Sequence, residues 1–246
     1  DKAVSRITKS LGGQVDRGKL SAEDRDESLS RVRTTTDLED LELCGLVVES
    51  IVEDLDAKRE LFAELDRVCG DDTILATNTS TLPVVDIAMT TTRPDRVLGL
   101  HFFNPAPKMP IVEIIPTLTT TAETVDAIRR FALDCGKESV TVKDKAGFIV
   151  NALLFPYLNS AVRMVENEVA SKEDIDAAMR GGCGYPMGPL ELLDLVGLDT
   201  SLAILEALSD RGDPCSAPAP LLKRMVTAKQ LGRKTGQGFF TYPSAR

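Results

Sequence analysis

Between residues 45 and 77 the chain alternates two kinds of apolar run, and this alternation restricts the fold more than any other feature. Gly45-Leu46-Val47-Val48-Glu49-Ser50-Ile51-Val52 is almost continuously apolar and of strand length, which predicts a strand buried on both faces of a parallel sheet. Asp54 then predicts a helix cap, Leu55, Phe62 and Leu65 line the core side of that helix, and Gly70 predicts its end. Thr73-Ile74-Leu75-Ala76-Thr77 begins the next strand. Strand, helix and strand in this order predict an α/β, doubly wound sheet.

The rest of the chain extends that pattern and then abandons it. Residues 1 to 33 predict two short, highly charged helices, with Gly12-Gly13 and Gly18 as interruptions and Ser21 with Asp24 as a cap for the second. Thr120 and Glu123 predict a capping box for a helix carrying Val125, Ile128 and Phe131, closed by Gly136. Ser139 to Val142 alternates like an edge strand. Beyond Asp144 the pattern is helical. Phe148 to Glu166 predicts a helix bent at Pro156, Ser171 with Asp174 starts another, and Leu190 to Leu208 reads as one long apolar stretch. We therefore expect a sheet domain at 1–144 and an all-helical domain at 145–246.

The only histidine of the 246 residues, His101, ends the apolar run from Val97, just before the Pro-punctuated loop that holds Asn104. In open α/β sheets ligands bind outside the carboxyl ends of the strands, so a polar side chain there faces a cleft. Glu113 follows in a second strand-like run, Ile111 to Ile115. A short connection can bring it beside the imidazole, where a carboxylate fixes the tautomer and favours the imidazolium. Read alone, the pair is equally a polar strand end and a solvated charge.

Composition narrows the function further. With 43% apolar and 27% charged residues the chain is that of a globular protein. A net charge of −9 argues against nucleic acid or an anionic membrane as a partner, so an anionic ligand needs a local basic pocket. No run approaches the roughly 20 apolar residues that span a bilayer, and no signal pattern opens the chain. Cys44, Cys69, Cys135, Cys183 and Cys215 are scattered, with no C-x-x-C. They predict buried thiols in a reducing, cytoplasmic compartment, with neither disulfides nor a metal site.

The string HFFNPAPKMPIVEII resembles the signature of the 3-hydroxyacyl-CoA dehydrogenase family, and the resemblance continues through GFIVNALL at 147–154 and GYPMGPLELLDLVGLDT at 184–200. Ala152 stands where the family motif has Arg. The resemblance implies a Rossmann-type dinucleotide-binding domain followed by a helical domain that completes the substrate cleft and forms a homodimer. It implies His101 and Glu113 as the catalytic pair, with Ser80 of Asn78-Thr79-Ser80 and Asn151 on the reacting oxygen. Glu53, Lys58, Ser80, Asn104 and Lys234 would lie along the cofactor, NAD with NADP as an option, and Ser10 and Arg17 near the coenzyme A moiety. Without the resemblance, Ser80 and Asn151 read as helix caps or packing amides, Glu53 as a strand-end charge, and Lys58 and Lys234 as solvated lysines. The implied reaction is oxidation of a (3S)-3-hydroxyacyl-CoA, with the length favouring a short acyl chain such as 3-hydroxybutyryl. The alternative is a non-catalytic relative of the same fold, which a missing His or Glu would favour; both are present.

No G-x-G-x-x-G occurs in the 246 residues. That turn normally supplies the donors that receive a pyrophosphate. We therefore expect the first strands of the sheet to lie outside this sequence. These residues alone are expected to bind NAD weakly and to expose the edge of the strand at 45–52.

Overall fold

The computed structural model describes residues 2–210 and 212–243. The first helices are α1, Lys2–Val15, and α2, Ala22–Ser30. Gly12 and Gly13 lie inside α1 rather than interrupting it, because a helix tolerates glycine at about 1 kcal/mol per residue. The break comes at Gly18, whose φ of 64° is left-handed. Ser21 caps α2 by accepting from the Asp24 amide.

A five-stranded sheet follows, in the order β1 (Leu46–Glu49), β2 (Ile74–Thr77), β3 (Val97–Phe102), β4 (Ile111–Pro116) and β5 (Glu138–Thr141). β1, β2 and β3 are parallel, β3 and β4 are antiparallel, and β4 and β5 are parallel. The reversal at β4 departs from an all-parallel reading. Its cause is the short 103–110 connection, since a parallel crossover needs about a dozen residues or more. β1 is also shorter than the apolar run suggested, and it is not buried on both faces: it lies at one end of the sheet, and Val48, Ile51 and Val52 are exposed.

The inner strands alternate their side chains between two apolar layers. On one face Leu75 and Val97 pack with Phe62 and Leu65 of α3 (Leu55–Val68) and with Ile87 of α4 (Val84–Ala88). On the other, Ala76, Leu98, Leu100 and Ile114 pack against Val125 and Ile128 of α5 (Ala122–Asp134). Asp54 caps α3 as expected, but the helix stops at Val68, with Cys69 rather than Gly70 as its extended cap residue. The cap of α5 is Thr121, not Thr120, whose hydroxyl is committed to the Val97 carbonyl.

The remaining helices are α6 (Val150–Glu166), α7 (Lys172–Cys183), α8 (Pro189–Val196), α9 (Leu198–Asp210) and α10 (Pro220–Thr227), built around one apolar cluster that includes Leu158, Leu190, Leu193 and Leu205. The stretch from Leu190 to Leu208 is two helices. Gly197, at φ 103°, separates them, and the Leu198 amide turns to the distant Leu231 carbonyl. Among the described residues no helix is long and apolar enough to cross a membrane. The five thiols are free, but only Cys69 is buried; Cys135, Cys183 and Cys215 are exposed, which corrects the expectation of buried thiols.

Candidate active site

The antiparallel register places His101 of β3 directly opposite Glu113 of β4. β3 approaches β4 and α4 closely at Gly99, where a Cβ would lie 3.0 Å from Ile115 Cβ and 3.1 Å from Val84 Cγ2. His101 is 4% exposed and Glu113 fully buried. Nδ1 of His101 lies 2.7 Å from Glu113 Oε2, and Nε2 lies 3.1 Å from Ser80 Oγ. A buried carboxylate accepts the Nδ1 proton, which leaves Nε2 as the acceptor for the Ser80 hydroxyl. The rings of Phe103 and Phe148 flank the imidazole at 4.8 and 5.5 Å.

Glu113 holds more than the histidine. Its Oε1 accepts from the amides of Ile149 and Val150, at 2.9 and 3.0 Å, where α6 begins. Gly147 and Phe148 both take positive φ, 72° and 51°, and this turn presents the two amides to the sheet. Burial pushes the Glu113 carboxyl up, but His101 and the Val150 and Ile149 amides outweigh it and hold it below the usual glutamate range.

Ser80 follows β2 in a turn organised by Glu53. The Glu53 Oε1 accepts from Thr79 Oγ, Ser80 N and Thr81 N at 2.6, 2.8 and 3.2 Å. Desolvation raises this carboxyl, while Thr79, the Ser80 amide, Lys58 and the Thr81 amide together bring it below its ordinary value. Lys58 is not a solvated lysine. It is 1% exposed, with Nζ 2.7 Å from Glu49 and 3.4 Å from Glu53.

His101, Glu113, Ser80, Glu53 and Lys58 thus form one connected group. Asn151 is buried in the first turn of α6, one residue beyond the Val150 amide. Asn104 is exposed in the loop after β3. Ser10 and Arg17 line a cavity of about 620 Å³ with Lys19 and Lys108, three basic side chains in an acidic chain. Lys234 is set apart: its ammonium lies 2.5 and 2.6 Å from the two oxygens of Asp199 in the helical region.

Two residues of the site escaped the sequence reading. Asn78 accepts from the Phe102 amide at 2.8 Å and donates to Ser50 Oγ at 3.2 Å, clamping the carboxyl ends of β1, β2 and β3 together. Glu49 is the buried partner of Lys58. The available signal was a lone carboxylate inside an apolar strand run, which burial forces to find a cation or several donors.

The pattern of the 3-hydroxyacyl-CoA dehydrogenase NAD binding domain matches residues 1–145, and that of the family's C-terminal domain matches 147–242. The chain belongs to the 3-hydroxyacyl-CoA dehydrogenase family. This dehydrogenase is 50% identical over 241 residues to a 3-hydroxybutyryl-CoA dehydrogenase of Mycobacterium tuberculosis, covering 97% of this chain and 84% of the relative. It is 46% identical to that of Clostridioides difficile, covering 98% and 86%. The crystal structure of (S)-3-hydroxybutyryl-CoA dehydrogenase from Ralstonia eutropha superposes with a TM-score of 0.96 at 39% identity, over 98% of this chain and 86% of the other.

Proposed function

We propose that this dehydrogenase oxidises (3S)-3-hydroxybutyryl-CoA, or a similarly short (3S)-3-hydroxyacyl-CoA, to the 3-oxoacyl-CoA within fatty acid or butanoate metabolism. The observation that carries the reading is the Glu113–His101–Ser80 chain of hydrogen bonds at the carboxyl end of β3. His101 Nε2 takes the proton of the 3-hydroxyl, and the ring becomes an imidazolium whose charge Glu113 balances. Ser80 Oγ, with the Asn151 amide, holds the reacting oxygen and stabilises charge on it as the carbonyl forms. NAD, when bound, supplies the acceptor for the hydride that leaves C3.

The residues around the site suit that cofactor. Glu53, Ser80 and Asn104 lie at the carboxyl ends of β1, β2 and β3, where a parallel sheet receives a dinucleotide, and Lys58 supports Glu53 from below. Lys234 would reach the dinucleotide only by leaving Asp199. Ser10 and Arg17, with Lys19 and Lys108, offer the basic pocket that the phosphates of coenzyme A require.

The domain division near residue 144 assigns cofactor binding to the sheet and completion of the cleft to the helices. For the helical part we infer a homodimer in the cytoplasm. Leu153, Met164, Tyr185 and Leu195 are exposed there, and Met164 also lines a 340 Å³ apolar cavity between α6 and α7. The test of the whole reading is NADH formation from the two enantiomers of 3-hydroxybutyryl-CoA. Activity with the S form alone at saturating NAD supports it, and none with either at saturating NAD refutes it.

A further inference from the structure

A line of polar contacts leads away from the catalytic residues to a buried end at Glu49 and Lys58, and Glu49 has no part in the mechanism above. Glu49 closes β1 with its side chain fully buried. Its Oε1 accepts from Lys58 Nζ at 2.7 Å and from the Ile51 amide at 2.6 Å, and its Oε2 accepts from Thr77 Oγ at 2.7 Å. Lys58 reaches on to Glu53 at 3.4 Å. Glu53 binds four donors of the 79–81 turn, and the Ser80 hydroxyl of that turn meets His101 Nε2.

We propose that Glu49 is a positioning residue, acting through Lys58 and Glu53 to hold the Ser80 turn against His101. Two carboxylates share one ammonium, and the shorter contact is to Glu49. If Glu49 loses its charge, Lys58 keeps Glu53 as its only ionic partner. Lys58 is buried while the Glu53 side chain is 39% exposed, so solvent screens only part of the attraction between them, and the Glu53 carboxylate closes on Lys58 towards a charge-assisted contact of about 2.8 Å. Closing that gap rotates Glu53 away from the donors of the 79–81 turn, and the Ser80 hydroxyl withdraws from Nε2. Glu113 and the start of α6 take no part in this movement.

His101 is the sole histidine of the sequence, so its two ring nitrogens give one pair of nitrogen-15 imidazole resonances. In Glu49→Gln the Nε2 resonance is expected to move in the same direction as in Ser80→Ala, while Nδ1, held by Glu113, stays. In a Lys58→Met background Glu49→Gln should no longer move Nε2, because the route is gone. The kinetic arm rests on the function proposed above: kcat should fall by about tenfold to a hundredfold, as for a misplaced catalytic contact, with KM changed less. An unmoved Nε2 with full kcat in folded Glu49→Gln overturns the proposal, as does an equal shift with and without Lys58. If Glu49→Gln does not fold, Glu49→Asp keeps the charge one methylene back and should move Nε2 less, in the same direction; no movement there also overturns it. The resonance is read without substrate or cofactor. A wild-type protein inactive on hydroxyacyl-CoA therefore removes the functional reading and leaves the role of Glu49 to the resonance.

Discussion

His101 has the features that a general base in this position needs: a partner that fixes one ring nitrogen, a second nitrogen that acts as an acceptor, and aromatic rings against the imidazole. His101→Ala should lower turnover by roughly 10²-fold to 10⁴-fold, the usual contribution of general base catalysis. Its affinity for NADH by fluorescence titration should stay near wild type, while its melting temperature should fall, because the buried Glu113 Oε2 loses its partner. Glu113 is bound to both the base and the start of α6, so Glu113→Gln should lose rate and stability together. The pH dependence has a definite sign. The folded-state pKa of Glu113 lies below its unfolded value, so its stabilisation is complete above the ordinary glutamate range, ~pH 4.3, and drains as the pH falls through the lowered value. Thermal melts of wild type should therefore steepen their decline at acid pH, and those of Glu113→Gln should decline less steeply over the same range. Parallel acid limbs would contradict the assignment.

At the scale of the elements, carboxylates from one segment repeatedly cap the amides of another. Glu113 of β4 caps α6, Asp144 accepts from the Val85 amide at the start of α4, Asp176 of α7 accepts from Leu190 and Glu191 in α8, and Asp194 of α8 accepts from Phe239 and Phe240 of the tail. The first three satisfy helix N–H groups that have no partner in their own helix, and Asp194 does the same for amides of the non-helical tail. Gly188 makes one of them possible, since a Cβ there would lie 2.2 Å from Asp176 Cγ and 2.6 Å from its Cα. Gly188→Ala should destabilise the helical region by about 2–3 kcal/mol, through overpacking and the displaced cap. Chemical denaturation would measure this, and an unchanged midpoint would show that the chain relaxes around the methyl. Local caps such as Ser21, Asp54 and Ser171 were legible because donor and acceptor lie three residues apart. The division of α8 from α9 was not, because where the helix breaks at Gly197 the Leu198 amide bonds the Leu231 carbonyl, far along the chain. Likewise the polarity of β4 depends on loop length rather than on strand composition, and Glu49 and Lys58 looked like ordinary charges until the fold buried them together.

For the molecule as a whole, the sheet and the helices meet where the chemistry is placed. Glu113 spans the junction, and Val84, Ile115 and Phe148 pack across it in a small apolar cluster. A homodimer built through the helical part predicts that sedimentation equilibrium gives twice the chain mass. A charge placed among its exposed apolar residues, as in Met164→Glu, should yield monomers with the active-site hydrogen bonds intact; a wild-type monomer would contradict that assembly. The most direct measurement of the central claim is single-turnover oxidation of (3S)-3-hydroxybutyryl-CoA by wild type and His101→Ala, followed as NADH formation with NAD saturating. The structure predicts rapid, stereospecific NADH formation by wild type and a loss of about 10²-fold or more in His101→Ala. NADH formation at equal rates in the two proteins would show that the imidazole at the end of β3 is not the base.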